Sequence, residues 1–180
     1  MSGYLDKISI LVVDDNDFTR RISVRILQCF GAKDVREALN GEDAKQQTLA
    51  EKPDIVLTDW IMPPYDGIDL ARWLRTGDGS PDRFVPIIMM SAYSDLVRVA
   101  EARDAGVNEF LVKPMSPKGL MRRVQAVVEK PRSYVRTNGF FGPERRRRKM
   151  PFVGADRRED GFDPTREDEK LRQSSHNSPA

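Results

Sequence analysis

The sequence predicts an α/β fold: a doubly wound, five-stranded parallel sheet with strand order 2-1-3-4-5, followed by a mostly disordered C-terminal tail. Over residues 1–130, short apolar runs rich in β-branched residues alternate with segments of helical periodicity, which indicates βαβ units. The strand-like runs are almost continuously apolar, which is typical of a sheet covered by helices on both faces. Residues 131–180 contain only seven Leu, Ile, Val or Phe, too few to offset the entropy lost on folding. We therefore divide the chain into a domain, residues 1–130, and a tail, residues 131–180.

Each element of the predicted domain follows from its local sequence. Apolar, β-branched runs mark five strands: 8–13, a short one around Val35, 54–58, 86–90 and 109–112. Helical spacing of apolar residues marks five helices between and after them: from about Phe18 to Gly31, 40–49, 68–74, 95–105 and 116–128. Because connections between parallel strands are right-handed, few topologies remain, and the order 2-1-3-4-5 is the simplest of them.

Composition excludes several classes of protein. The 180 residues include 30 Lys and Arg, 28 Asp and Glu, one Cys and one His, His176 in the tail. No apolar run approaches the roughly 20 residues that cross a membrane, and the N-terminus lacks the features of a signal peptide, so we expect a cytoplasmic protein. The single Cys and His argue against an intrachain disulfide, a Cys-rich zinc site and a catalytic histidine in the domain.

Polar side chains follow four of the five predicted strands. Asp14 and Asp15 end the first strand, Asp59 the third, Ser91 the fourth and Lys113 the fifth. Ligands of open α/β sheets bind outside the carboxyl ends of the strands, close to the point where the strand order reverses. The first and third strands flank that point, so we expect the three aspartates to lie in one crevice with the serine and the lysine beside them.

Three carboxylates in one crevice need positive charge. Two like charges 4 Å apart repel by about 4 kcal/mol at an effective dielectric constant near 20. Lys113 supplies one positive charge, and a divalent cation would supply the rest. Oxygen ligands without His or Cys favour Mg²⁺, with Mn²⁺ as the second candidate. A carboxylate beside such a cation, a lysine and a hydroxyl is a site that can receive a phosphoryl group.

Several motifs, taken together, resemble the receiver domain of two-component response regulators, the CheY-like proteins. The resemblance covers residues 8–129, about two-thirds of the chain. The matching segments, in order, are Val12-Val13-Asp14-Asp15, Leu57-Thr58-Asp59, Met62-Pro63, Asp66-Gly67, Pro86-Ile87-Ile88, Ser91-Ala92, Ala105-Gly106 and Phe110-Leu111-Val112-Lys113-Pro114.

The resemblance implies a role for each residue of the crevice. Asp59 would be the phosphoacceptor. Asp14 and Asp15, together with Asp59 and the backbone carbonyl of Ile61, would hold Mg²⁺. Ser91 would donate a hydrogen bond to the phosphoryl group, and Lys113 would pair with it through a loop in which the bond from Lys113 to Pro114 is cis.

The resemblance also implies a switch. Ser91 would move toward the phosphoryl group and leave space for Phe110, the aromatic switch residue. The surface formed by the fourth helix, the fifth strand and the fifth helix would then change shape and bind a downstream protein. Ile61 and Tyr93 occupy the positions that gate the hydrolytic water in this family, and both are large, which favours slow loss of the phosphoryl group.

The tail contains a repeated motif, F-x-G-x-[DE]-R-R, in two copies twelve residues apart. The copies are 140–146 and 152–158, within a basic block followed by an acidic one. Aromatic anchors and arginine side chains suit docking to a folded partner, whereas the arginines alone would suit nucleic acid or anionic lipid, and a solvated linker is the third interpretation. The residues assigned to docking are Phe140, Phe141, Arg145, Arg146, Phe152, Arg157 and Arg158.

The function predicted from these residues is that of a single-domain response regulator. It would take a phosphoryl group from a histidine kinase or a phosphotransfer protein, and it would not be an enzyme beyond the making and loss of its own aspartyl phosphate. One alternative is a phospho-regulated protein that binds nucleic acid through the tail. Another is a haloacid-dehalogenase-like phosphatase, but that family has an acid two residues after its nucleophile, where this chain has Ile61.

Overall fold

The predicted sheet is confirmed by the computed structural model, which describes residues 4–93, 95–137 and 139–145. Five parallel strands lie side by side in the order β2-β1-β3-β4-β5. They are β1 (Ser9–Val13), β2 (Asp34–Ala38), β3 (Ile55–Asp59), β4 (Ile87–Ser91) and β5 (Glu109–Val112). The helices are α1 (Asp17–Cys29), α2 (Gly41–Ala50), α3 (Gly67–Thr76), α4 (Leu96–Asp104) and α5 (Pro117–Glu129), preceded by a short 3-10 helix at Tyr4–Lys7.

Both faces of the sheet are buried, as the apolar strands predict. Side chains alternate between the two faces, so neighbouring residues of one strand enter different cores. Leu11 and Val13 of β1 pack in the core beneath α2, α3 and α4. Ile10 and Val12 of the same strand pack in the core beneath α1 and α5. The central strands β1, β3 and β4 are therefore the most deeply buried part of the domain.

Each of the five α-helices begins after a residue whose side chain caps its first turn. The capping oxygen accepts a hydrogen bond from a backbone N–H three residues later, which satisfies one of the donors left free at a helix start. The capping residues are Asn16, Asn40, Asp66, Asp95 and Ser116. Within the described ranges, no helix combines the length and the apolar character that crossing a bilayer requires.

A two-stranded antiparallel hairpin follows α5. Its strands are β6 (Tyr134–Thr137) and β7 (Phe140–Pro143). Gly139 in the connection has φ +87°, a conformation that favours glycine in a tight turn. The hairpin packs beside the loop that leads into β4, where the rings of Tyr134 and Phe141 lie 5.1 and 5.3 Å from the ring of Phe84. Phe141 is only 6% exposed, so the hairpin extends the apolar core.

The hairpin also covers a buried arginine. Arg75, near the end of α3, is 1% exposed. Its guanidinium donates hydrogen bonds to the carbonyl oxygens of Gly106 (3.0 Å) and Arg83 (2.9 Å) and to Oδ1 of Asn108 (2.8 Å). The ring of Tyr134 lies 5.3 Å from the guanidinium carbon. Burial lowers the pKa of Arg75 below its ordinary value, and three oxygen acceptors with an aromatic face replace the water that the cation has lost.

The hairpin is absent from the sequence-based prediction, which ends the domain at residue 130. That prediction counts only Leu, Ile, Val and Phe, and it treats the segment as if it stood alone. The structure differs because the hairpin closes onto a surface that the domain already provides, with Tyr134 and Phe141 as its anchors. The predicted disorder of residues 146–180 lies outside the described residues.

Candidate functional site

The sheet brings the three predicted aspartates together. Asp14 and Asp15 follow β1 directly, and Asp59 is the last residue of β3, the strand paired with β1. One carboxylate oxygen from each residue lies within 4.8 Å of those of the other two. Asp14 is fully buried, Asp59 is partly buried and Asp15 is exposed. The crevice is therefore open on one side, because only the innermost carboxylate is sealed from water.

Lys113 joins two of these carboxylates. Its Nζ donates to Oδ2 of Asp14 at 3.0 Å and lies 3.0 Å from Oδ1 of Asp59. Lys113 directly follows Val112, the last residue of β5. Its backbone N–H donates to the carbonyl oxygen of Ser91, at the end of β4, at 2.8 Å, and this hydrogen bond holds the lysine beside the crevice. The bond between Lys113 and Pro114 is cis, which confirms that prediction, and the bond between Pro63 and Pro64 is cis as well.

Two opposing effects act on Asp59. Burial raises the pKa of its carboxyl group above the ordinary value, and the negative charge of Asp14 acts in the same direction. The hydrogen bond and the positive charge of Lys113 lower that pKa, but burial is the largest effect. The groups around Asp59 therefore compensate the ionised form of its carboxyl group only in part.

The charges of the crevice fit a divalent cation. Three carboxylates and one ammonium group leave a formal charge of −2 in their ionised forms. The donors are all oxygens, the ligand type that Mg²⁺ prefers. The backbone carbonyl of Ile61 stays a predicted ligand of the cation. The side chain of Ile61, in the loop that follows Asp59, is half exposed.

Ser91 lies at the end of β4, between the strands that carry Asp59 and Lys113. It is 1% exposed, and its Oγ accepts a hydrogen bond from the Tyr93 N–H at 3.0 Å. The hydroxyl hydrogen remains available because the oxygen acts as the acceptor in this contact.

Phe110 belongs to an aromatic and cationic cluster that connects the Asp59 loop with α4. Its ring meets that of Trp60 edge to face, with 6.2 Å between the centroids. The guanidinium carbon of Arg98 lies 5.6 Å from the ring of Trp60 and 4.2 Å from the ring of Tyr93. The part played by Arg98 is missing from the sequence analysis, because residues 60, 93, 98 and 110 have no common spacing or motif.

The loop after Asp59 is held tightly to the strand. Trp60 and Met62 are buried, and the Gly67 N–H donates to the carbonyl oxygen of Trp60 at 2.9 Å. A Cβ atom at Gly67 would collide with the backbone oxygen of Asp59. Only glycine permits this close approach, so the start of α3 helps to fix the end of β3.

The docking residues of the tail that the structure describes, Phe140, Phe141 and Arg145, do not join the crevice. Phe141 faces the domain core and does not offer the exposed anchor that the docking hypothesis assigns to it. Phe140 and Arg145 stack on each other, 3.8 Å from guanidinium carbon to ring centroid, and Arg145 pairs with Asp104 at 3.4 Å. Arg146, Phe152, Arg157 and Arg158 lie outside the described residues.

Comparisons with known proteins agree with this geometry. Residues 10–125 match the family model described as the response regulator receiver domain. The chain is 36% identical over 124 residues to the chemotaxis protein CheY1 of Helicobacter pylori, covering 67% of this chain and 97% of that protein.

Solved structures agree as well. A putative response regulator from Chloroflexus aurantiacus is similar with a TM-score of 0.63 and 31% identity, covering 68% of this chain and 98% of that one. A chain in the CheX–CheY–BeF₃–Mg²⁺ complex from Borrelia burgdorferi is similar with a TM-score of 0.60 and 30% identity, covering 67% of this chain and 88% of that one. With the sheet order and the acidic crevice, these matches establish that the chain belongs to the response regulator receiver domains, the CheY-like phosphoaccepting proteins of two-component signal transduction.

Proposed function

We propose that Asp59 accepts a phosphoryl group from a histidine kinase or a phosphotransfer protein. The observation that carries this proposal is the unequal exposure of two carboxylates that share one lysine. The Asp14 side chain is fully buried, whereas that of Asp59 is 14% exposed. Asp14 also accepts hydrogen bonds at both of its oxygens, from Lys113 Nζ and from the Asn16 N–H. Of the two carboxylates that contact Lys113, Asp59 is therefore the one that an incoming phosphorus atom can reach.

The proposed reaction is an in-line transfer. A carboxylate oxygen of Asp59 forms a bond to phosphorus while the bond from phosphorus to the donor's imidazole nitrogen breaks, and that nitrogen keeps the electron pair. Lys113 lies where it offsets negative charge on the transferred group. Water later attacks the acyl phosphate, restoring the Asp59 carboxylate and releasing inorganic phosphate.

Asp14, Asp15 and Asp59, with the carbonyl of Ile61, would hold Mg²⁺, and Mn²⁺ is the second candidate. When bound, the ion would neutralise charge on the phosphoryl oxygens. The all-oxygen donor set and the formal charge of −2 support this assignment. The complex from Borrelia burgdorferi that contains BeF₃ and Mg²⁺ supports it by similarity.

The proposed output is binding of a downstream protein to the face made by α4, β5 and α5. Ser91 would move toward the phosphoryl group, and Phe110 would fill the space that it leaves. Leu96 and Val97 in the first turn of α4 are 87% and 77% exposed. Large apolar side chains this exposed are typical of a surface that a partner covers, and they adjoin the cluster that contains Phe110.

Under this proposal the chain is a switch and not an enzyme that acts on a separate substrate. The haloacid-dehalogenase-like alternative has no support, because the side chain two residues after Asp59 is Ile61. The tail, predicted to comprise residues 131–180, would act in docking. The residues that would make the contacts are Phe140, Arg145, Arg146, Phe152, Arg157 and Arg158, because the side chain of Phe141 is buried. Nucleic-acid binding through these arginines is the alternative, and a strong dependence of DNA affinity on salt would favour it.

Acetyl phosphate with Mg²⁺ tests the site. The wild-type chain should gain the mass of one phosphoryl group, and Asp59→Asn should gain none, since its amide is not a nucleophile. Asp78→Asn, the same change at an exposed aspartate outside the crevice, should be labelled like the wild type. Labelling that persists on Asp59→Asn would refute the assignment.

A further inference from the structure

An apolar groove on the outer side of α1 is left open by the described part of the chain. The groove has a volume of about 460 Å³ and is bordered at one end by Pro117, the first residue of α5. Phe18 and Phe30 line it and are 74% and 45% exposed, and Ile22 between them is 37% exposed. Three large apolar side chains along one helix face form a surface that water covers poorly.

Two arginines give this groove a positive rim. Arg21 and Arg25 both line it and are exposed. Arg21 pairs with Asp17 at 3.1 Å, while Arg25 makes no ion pair with any residue in the described ranges. An occupant that matches the groove therefore has an apolar side chain, ideally aromatic, with acidic residues on both sides of it.

The chain itself contains such a segment. In the sequence Glu159-Asp160-Gly161-Phe162-Asp163, the aromatic residue has acids on both sides and no basic residue intervenes. The other phenylalanine beyond Arg145 is Phe152, whose nearest charged neighbours along the chain are Lys149 and Asp156, so it does not have acids on both sides. We propose that the acidic segment 159–163 docks in the α1 groove of its own chain, with Phe162 against Phe18 and Ile22.

The length of chain beyond the hairpin permits this contact. The described part ends at Arg145, which pairs with Asp104, the last residue of α4. Phe162 follows 17 residues later. An extended segment of that length spans at most roughly 60 Å, whereas a domain of this size has a radius of gyration of roughly 14 Å. The segment can therefore reach any part of the domain surface.

Docking within one chain needs only a weak contact. A tether of this length gives an effective concentration on the order of millimolar, so a contact of millimolar affinity is made about half of the time. The ionic part of the contact is exposed and is weakened by salt. Docking of segment 159–163 is thus reversible, and a protein partner that binds the groove more tightly would displace the segment.

The groove lies on the helix that follows Asp14, so docking in it would affect how other proteins approach the crevice. Helix α1 begins three residues after Asp14, and Met115, in the loop that follows Lys113, receives a contact from Ser23 of α1 at 3.7 Å. A protein donor that reached Asp59 over the start of α1 would meet the groove. The docked segment would restrict access of protein donors and leave small-molecule donors unaffected. Docking itself does not depend on the proposed phosphoryl transfer.

The only cysteine of the chain provides the test, because Cys29 is exposed and lines the groove. We would measure the rate at which N-ethylmaleimide, an uncharged reagent, modifies Cys29 in the full-length protein. At low salt the wild type should react about two- to ten-fold more slowly than Phe162→Ala, as expected for a groove that is about half to nine-tenths covered. High salt should bring the two rates together.

Matched variants decide between the segments. Phe152→Ala removes the other aromatic residue and should react like the wild type. In an Arg21→Glu, Arg25→Glu background, Phe162→Ala should no longer change the rate, and comparison within that background removes any direct effect of the new charges on the thiol. Equal rates for the wild type and Phe162→Ala at low salt would overturn the proposal. Protection that rises with protein concentration would overturn it too, since a second copy would then be the occupant.

Discussion

Replacing Phe141 with alanine should release the C-terminal hairpin from the domain. The side chain is 6% exposed and lies between the rings of Phe84 (5.3 Å) and Tyr134 (5.7 Å). Burial of a phenylalanine contributes about 1.5–3 kcal/mol, and each aromatic contact adds about 0.5–1.5 kcal/mol. Because β6 and β7 form a sheet of their own, we expect the hairpin to detach without unfolding the five-stranded sheet. This limits the loss, and the substitution should cost about 3 kcal/mol.

Hydrogen exchange measures this cost locally. The Glu144 N–H donates to the carbonyl oxygen of Ser133 at 2.7 Å, so its exchange reports on the hairpin. A cost of about 3 kcal/mol should lower its protection factor by about a hundredfold. The control is Phe140→Ala, whose ring stacks on Arg145 at 3.8 Å near the surface and should cost about 1 kcal/mol or less.

Two results would refute this reasoning. The first is a Phe141→Ala protein whose Glu144 amide exchanges within about twofold of the wild-type rate, because the hairpin would then be held by contacts other than this ring. The second is a larger loss of protection from Phe140→Ala than from Phe141→Ala, which would reverse the roles of the buried and the surface ring.

Three further changes have definite expected outcomes. Arg75→Met should lower the free energy of unfolding in urea by about 2–4 kcal/mol, because the carbonyl oxygens of Gly106 and Arg83 would lose the hydrogen-bond donor that the guanidinium provides. The control is Arg72→Ala, which should change this free energy by less than about 0.5 kcal/mol, because the ion pairs of Arg72 are exposed and 3.8 Å or longer. Gly67→Ala should slow labelling of Asp59 by acetyl phosphate, since the new Cβ displaces the backbone oxygen of Asp59, and an unchanged rate would show that the strand end tolerates movement. Chelation by EDTA should abolish labelling, addition of Mg²⁺ should restore it, and labelling that continues in EDTA would contradict the proposed metal site.

The sheet and the crevice could be predicted because their signals are local. Runs such as residues 8–13 and 86–90 are apolar and β-branched enough to specify strands without knowledge of their neighbours. Once the strands are parallel, their carboxyl ends meet at one edge, and Asp14, Asp59 and Lys113 need no further information to converge.

The hairpin and the aromatic cluster could not be predicted because they depend on distant partners. Phe141 is buried against Phe84, a loop residue more than fifty positions earlier. Arg98 has the sequence context of an ordinary surface arginine, and only the folded chain places it over Trp60 and Tyr93. Contacts of this kind require the arrangement of the loops, which local periodicity does not contain.

The buried guanidinium of Arg75 has a practical consequence for any shortened form of this protein. The matched family region ends at residue 125, and a chain trimmed soon after it would lose Tyr134 and Phe141 together. Water would then reach the guanidinium of Arg75 and the ring of Phe84, and the first residues of β4 and β5 would be less well supported. Comparing trimmed and untrimmed proteins would therefore mix the effect of removing the extension with that of damaging the core. Deletions that start after Arg145 avoid this confusion.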